Sequence, residues 1–370
     1  MSVITNYWFQ LIWLFTGGLA LHLFVPKKQE IIMGKREIRW HFISAFILVI
    51  PYIIAAAFRN DLYGDTTAYR RTFLEAPNSL SAIPEYLTTV TKDKGFSVLM
   101  VFLKTIIGNS DVLFFLIIAA FQMLCLALIY RKYSCNYWLS IFIFVAGTDY
   151  MSWCHNGIRQ FFAITVIMLA LPLLLKKKYI PVILIILLAS TFHASAILML
   201  PVIFIVQGKA WNKKSVFCIL GCILALLFVD QFTDVLDTVL SNTQYSNMVT
   251  DWQEWEDNGT NPIRVLVYSI PMILSVIGYK QIKAEDDPII NVMVNFSILT
   301  SGIAIISMGT SGIFLGRLIS YGSVYSASIL LPWEIKHLFT QDSEKIMTIA
   351  LIIGYLGFFY YQMRITWGVL

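Results

Sequence analysis

The run Arg59-Asn60-Asp61-Leu62-Tyr63-Gly64-Asp65-Thr66-Thr67-Ala68-Tyr69-Arg70-Arg71 packs three guanidinium groups and two carboxylates into a short polar stretch. Guanidinium is a planar fork of donors that matches phosphate oxygens. The run therefore reads either as an anion site with a carboxylate beside it or as a solvated loop with local Asp–Arg pairs. Gly64 marks a turn, and Asp65 or Thr66 can cap the next helix. On that helix Thr66 and Arg70 share a face.

A second polar group, Asn156-Gly157-Ile158-Arg159-Gln160, opens an apolar run. Asn156 is the expected N-cap. Arg159 then falls in the first turn, where a cation opposes the helix dipole and an anion relieves it. The alternative is an interfacial arginine that snorkels to lipid headgroups. His193 interrupts the apolar stretch Ile180–Val206. Ionisable groups at membrane depth usually face a cavity, although a lone histidine is also a common packing residue. Arg317, in Gly316-Arg317-Leu318-Ile319-Ser320-Tyr321, again begins an apolar segment. One polyanionic lipid headgroup, such as an isoprenyl diphosphate, would account for Arg59, Arg70, Arg71, Arg159 and Arg317 together. A separate acidic stretch, Asp251-Trp252-Gln253-Glu254-Trp255-Glu256-Asp257, sets indole faces beside carboxylates. That suits sugar rings, and it also suits an ordinary interfacial tryptophan belt.

The elements that must hold these residues are membrane helices. Hydrophobic residues make up 58% of the chain and charged residues 13%, about half the charged share of a soluble protein. The apolar runs are continuous rather than alternating, which excludes a β-barrel reading. The first, Tyr7–Val25, has no basic leader and reads as an uncleaved helix. Basic loops mark the cytoplasmic side. These are Pro26–Arg39, Arg131–Lys132, Lys176–Lys178 and Lys209–Lys214, with weaker ones at Lys280–Asp287 and Glu334–Lys345. Spans are then expected over 5–25, 40–57, 111–130, 136–149, 159–175, 215–229, 263–279, 288–308, 318–333 and 346–362. Under this topology the cytoplasmic side carries 17 basic and 8 acidic residues and the outer side 10 and 14, an asymmetry that supports the orientation. Gly95–Ile107 is too short to cross and reads as a half-helix packed against protein. Tyr179–Gln207 lies between two cytoplasmic loops and reads as a pair of short helices turning at Thr191-Phe192-His193-Ala194-Ser195. External loops are expected at about 58–95 and 230–262, and residues 1–370 are expected to form a single transmembrane domain.

There is no HExxH, Walker loop, GxGxxG after a strand or Cys-x-x-Cys. Nothing calls for a nucleotide, a nucleic-acid partner, a cofactor or a dedicated metal. Cys218 and Cys222 share a helix face, which is common in apolar cores.

The series Arg59…Gly64-Asp65-Thr66…Tyr69, Lys94-Gly95-Phe96, Asn156-Gly157-Ile158-Arg159-Gln160 and Ala189-Ser190-Thr191-Phe192-His193-Ala194-Ser195-Ala196 resembles the EpsG family of Wzy-like exopolysaccharide and O-antigen-type polymerases. The likeness is strongest over residues 55–200. Where such families carry an acid before the Gly-Phe pair, this chain has Lys94, with Asp93 next to it. The resemblance implies an all-α polytopic protein of about 12 transmembrane helices, some short or re-entrant, in a GT-C-like arrangement. It implies a metal-independent glycosyltransferase in the bacterial cytoplasmic membrane with its site facing the periplasm or exterior. There a growing glycan moves from undecaprenyl diphosphate to the sugar of a second lipid-linked repeat unit. Donor, acceptor, membrane lipid and other polysaccharide assembly proteins are the expected partners. Arg59, Arg70, Arg71, Arg159, Gln160 and Arg317 are the expected diphosphate ligands, with Arg159 also catalytic. Tyr69, Trp252 and Trp255 are the expected sugar contacts. His193 and Asp65 are the candidate bases, His193 ranked ahead because imidazole titrates near working pH. Three rivals stay open: a polyprenyl-phosphate-sugar-dependent glycosyltransferase, a lipid-linked oligosaccharide transporter or flippase, and a structural partner in an assembly complex.

Overall fold

A computed structural model describes residues 3–61, 63–240, 254 and 258–369. Its contacts divide the chain into two compact units, Met1–Ile197 with Asp342–Leu370, and Leu198–Gln341.

In chain order the first unit begins with α1 (Val3–Phe24), a hairpin of β1 (Lys27–Ile32) and β2 (Lys35–Trp40), and α2 (Phe42–Ala57). Next come α3 (Thr66–Glu75), α4 (Ile83–Thr89), α5 (Lys94–Ile107), α6 (Asp111–Tyr133) and α7 (Tyr137–Ala146). A π-helical run, Tyr150–Asn156, leads into α8 (Ile158–Met168), α9 (Leu171–Leu175) and α10 (Tyr179–Phe192). The second unit holds α11 (Met199–Ile205), α12 (Lys213–Leu227), α13 (Val229–Leu240), α14 (Pro262–Ile277), α15 (Tyr279–Glu285) and α16 (Pro288–Met308). It continues through α17 (Leu315–Leu318), α18 (Ser320–Tyr325) and α19 (Leu331–His337), and α20 (Gln341–Tyr360) returns to the first unit.

The described chain is thus almost wholly helical and apolar. Tyr7–Phe24, Asp111–Tyr133, Pro288–Met308 and Gln341–Thr366 are long and apolar enough to cross a bilayer. Two bent pairs raise the number to six if each counts once: α12 with α13 (105°) and α14 with α15 (73°). α6 shows why such helices form. Ser110 accepts from Leu113 N, Asp111 occupies the first turn, and Arg131 and Lys132 occupy the last. Each end therefore carries the charge that its dipole favours.

Several boundaries differ from the expected ones, for local reasons. The segment Pro26–Arg39, expected as a plain basic loop, folds into the β1–β2 hairpin. Met33 and Gly34 take φ of 50° and 85°, the pair of positive values that a two-residue type I′ turn needs. The helix expected over 159–175 stops at Met168, and Pro172 sits in the first turn of α9, where its missing N–H breaks no bond. The span over 318–333 is divided into α18, a π-helical turn at Ser326–Leu330 and α19. The loop expected from residue 230 begins as the helix α13.

Two expectations match closely. Residues 95–107 form the short helix α5, and Tyr179–Gln207 forms α10 and α11 with the break at His193. α10 has 14 residues and is about 21 Å long, less than the roughly 30 Å hydrocarbon core.

An aromatic core supports α3 and α5. Phe73, Phe96, Phe114 and Phe115 are each fully buried, and Phe73 stacks on Phe114 at 4.5 Å between centroids. Lys104 of α5 donates from Nζ to Leu74 O and Ala76 O at 2.6 and 2.5 Å. It places a cation on the last carbonyls of α3, where the helix dipole favours one.

Candidate active site

Asp93 precedes α5 in the left-handed region, with φ 54° and ψ 47°, a conformation that Asp tolerates better than most residues. Its side chain does not cap α5. It turns instead toward two other helix ends and is 3% exposed. Oδ2 lies 3.1 Å from Arg159 Nη1, in the first turn of α8, and 3.1 Å from His193 Nδ1, at the break after α10. Oδ1 accepts from Ala194 N at 3.2 Å. Burial alone would push this carboxyl up. The hydrogen bond from His193, the charges of His193 and Arg159, and the Ala194 N–H together outweigh burial and hold it below its usual value. Asp93 is therefore an anion that joins three elements.

Close approach makes this junction possible. A Cβ on Gly95 would collide with Thr191, so only glycine lets the start of α5 touch the end of α10. Gly64 plays the matching part at the other motif. It has φ 55°, and an added Cβ would meet Asn156 Oδ1 at 2.7 Å. That oxygen accepts from Asp65 N at 3.1 Å. Asn156 is therefore not the N-cap of α8, as the sequence led us to expect. The cap position is Gly157, and the amide of Asn156 is spent on the turn before α3. Asp65 occupies the N-cap position of α3 but makes no side-chain cap, and Thr66 Oγ1 donates to Tyr63 O at 2.8 Å.

A cavity of about 460 Å³ opens beside this junction. Its wall carries Asp65 and Tyr69 from the α3 region, Tyr86 and Lys92 from α4 and the segment after it, and Ser97 and Arg159. Arg159 stands with its carbon Cζ 5.8 Å from the Tyr69 ring centre, a cation over an aromatic face. Burial pushes the Tyr86 phenol up, more than its hydrogen bond with Ser97 pulls it down, so Tyr86 stays a neutral hydroxyl. Asp93 stands one contact behind the wall, reached through Arg159, and His193 one contact further, reached through Asp93.

The expected anion ligands separate. Arg159 lines the cavity, with Gln160 buried beside it. Arg59 is 5% exposed. It donates to Ala56 O at 2.6 Å and His155 O at 3.4 Å, and it covers the Phe115 ring at 4.1 Å. Arg70 is held by Asp61, the local Asp–Arg pairing that was the alternative to an anion site, and by the distant Asp111 of α6. Arg71 is exposed on α3. Arg317 belongs to α17 in the second unit. Of the expected sugar contacts, Tyr69 is on the cavity wall, while Trp252 and Trp255 lie outside the described residues.

Asp93, Tyr86 and Lys92 were not among the expected site residues. Asp93 had a signal, since an acid belongs near the Gly-Phe pair of the motif and Asp93 is one residue from that place. Tyr86 and Lys92 had none. Chemically, the arrangement offers a carboxylate that orients an imidazole, a cation on a cavity wall, and a concave surface of hydroxyls and rings.

Neither the curated proteins nor the solved structures give a match to the chain. The model of the EpsG family matches residues 42–366, nearly the whole chain and all four motifs that meet around Asp93 and Asn156. The chain belongs to the EpsG family, which places it among the membrane polymerases of exopolysaccharide synthesis.

Proposed function

We propose that this protein lengthens a polysaccharide by moving the growing glycan from a polyprenyl diphosphate onto a lipid-linked repeat unit, at the outer face of the cytoplasmic membrane. The observation that carries the reading is the single carboxylate of Asp93 held by both Arg159 and His193, beside a polar cavity. An ionised Asp93 accepts a hydrogen bond from His193 Nδ1–H and so leaves the Nε2 lone pair, on a side chain 22% exposed behind the cavity wall, for an acceptor hydroxyl that reaches past that wall, the role that an acid plays behind a catalytic histidine. The hydroxyl oxygen bonds to the anomeric carbon as its proton passes to Nε2. The bond from that carbon to the diphosphate oxygen breaks, and the polyprenyl diphosphate leaves with the electron pair. Arg159 and Lys92, both on the cavity wall, stabilise the charge that grows there, an electrostatic contribution that is commonly large. These cations serve without a metal in this reading.

The outer location is supported by the asymmetry of basic loops. The short apolar helices Phe42–Ala57, Tyr137–Ala146, Ile158–Met168, Tyr179–Phe192 and Ala194–Ile205, together with the half-helix α5, are taken as membrane-embedded, giving about 12 segments in a GT-C-like arrangement. The competing reading, one sugar moved from a polyprenyl monophosphate, is favoured by Asp65 on the wall. Purified protein incubated with a lipid-linked repeat unit, with and without chelator, tests both. A product ladder that persists in chelator is expected. A product one sugar longer supports the competitor, and no ladder from active membranes rejects polymerisation.

A further inference from the structure

The β1–β2 hairpin places both of its acids on one face and cations on both. In the observed register Lys27 faces Trp40, Gln29 faces Ile38, and Ile31 faces Arg36. The intervening pairs are Lys28 with Arg39, Glu30 with Glu37, and Ile32 with Lys35. Alternation sends successive pairs to opposite faces of the ribbon. One face therefore carries Lys27, Gln29, Ile31, Arg36, Ile38 and Trp40. Both acids fall on the other face.

That second face is packed at Ile32 and Arg39, while Lys28 and Lys35 on it are exposed. Ile32 is 4% exposed. Glu30 pairs with Arg131 at the end of α6, Glu37 with Arg39, and Arg39 donates to Lys132 O at 3.1 Å. Glu30 is thus cancelled against the helix bundle and Glu37 within the hairpin itself. Toward the turn the first face has no such cover, with Ile31 75% and Ile38 66% exposed, while Trp40 at its far end is buried against Tyr137. Lys27 and Arg36 are exposed on the same side, and no acid lies among them.

Chain connectivity fixes what this face meets. The hairpin comes directly after α1, whose segment Tyr7–Phe24 is a candidate span, and precedes the apolar α2. Phe24 before it and Phe42 after it are both exposed. Two aliphatic side chains between two cations, tethered within a few residues of the hydrocarbon, match the interface between acyl chains and anionic headgroups.

We propose that this face of the hairpin docks on anionic phospholipid headgroups, with Ile31 and Ile38 dipping toward the acyl chains and Lys27 and Arg36 on the phosphates. The proposal is independent of the reaction assigned to the cavity.

Full-length protein in nanodiscs tests it through tryptic cleavage after Lys35, which is exposed at the turn end of β2. Discs of phosphatidylcholine are compared with discs containing phosphatidylglycerol. Two cations near an anionic surface predict slower cleavage by roughly tenfold or more in the anionic discs, reversed by high salt. Lys27→Gln with Arg36→Gln should abolish the difference between the two discs. Ile31→Ser with Ile38→Ser, which spares every charge, should reduce protection in the anionic discs. Equal cleavage in both discs overturns the proposal. So does protection that survives the double glutamine change, or protection that appears only when an acidic protein is added.

Discussion

Arg59 and Arg159 both began as expected diphosphate ligands, arginines in matched motifs with Arg159 also expected to be catalytic, and the fold uses them in opposite ways. Arg59 is enclosed under Phe115 and bound to two carbonyl oxygens. Burial pulls its guanidinium down to about 10, still charged at neutral pH. Arg159 has a side chain 39% exposed, spends one nitrogen on Asp93, and faces a cavity. The difference is one of spare donors. A guanidinium whose hydrogen bonds end on backbone carbonyls holds the fold, and one that keeps N–H groups toward a hollow can bind a ligand.

The sharpest test is to remove each in turn. Arg159→Ala should lower ladder formation by on the order of 100- to 1,000-fold, the loss typical of a removed charge-stabilising donor, with a smaller fall in melting temperature than Arg59→Ala, because Asp93 keeps its bonds to His193 and Ala194 N. Activity equal to the parent would end the phosphate assignment. His193→Ala should cost roughly 100-fold, as for loss of a general base. Asp93→Asn in that background should cost little more, because the two act as a unit. Independent, multiplying losses would show that Asp93 does not act through His193.

Arg59→Ala should invert the pattern. It strands Ala56 O and His155 O, at about 1–3 kcal/mol for each buried group left unpaired. Folded yield and melting temperature should fall, while the activity of the surviving folded protein holds. A stable but inactive variant would return Arg59 to the candidate ligands. A finer effect comes from pH. The folded state holds Asp93 below its ordinary value of 3.8. Its contribution to stability is therefore complete above that value and is lost as pH falls through the folded one. Asp93→Asn should flatten this acid limb of a melting-temperature profile. Smallest of all, Asn156→Ala should cost about 1 kcal/mol through the lost bond to Asp65 N, with the turn at Gly64 loosened.

The sequence made much of the apolar helix content legible because apolar length is a local property; the short α5 could be read from run length, and the α10–α11 pair from run length together with the basic loops on either side, while the breaks within 159–175 and 318–333 could not. The motifs were legible as motifs. Their partners were not. Asp93 meets His193 across 100 positions, and its left-handed backbone, which turns the carboxylate away from α5, leaves no trace in composition. Arg59 and Arg70 could be told from Arg159 only by seeing which oxygens they reach. The hairpin was missed because a count of lysines and arginines hid its alternation, although Met33-Gly34 between two six-residue segments was a usable turn signal.

The widened turn at Tyr150–Asn156 carries one more consequence. A π-helical turn holds about one residue more than an α-helical turn, so it sets the azimuth at which the downstream chain leaves the bundle. Each residue removed from an α-helix rotates the downstream chain by about 100°. Shortening this run by one would return the widened turn toward an ordinary one and draw Asn156, whose Oδ1 accepts from Asp65 N, away from the turn before α3, while leaving the apolar composition of the helices untouched. In this chain the reach of that amide is set by a count of backbone units upstream as much as by the identity of the residue that bears it.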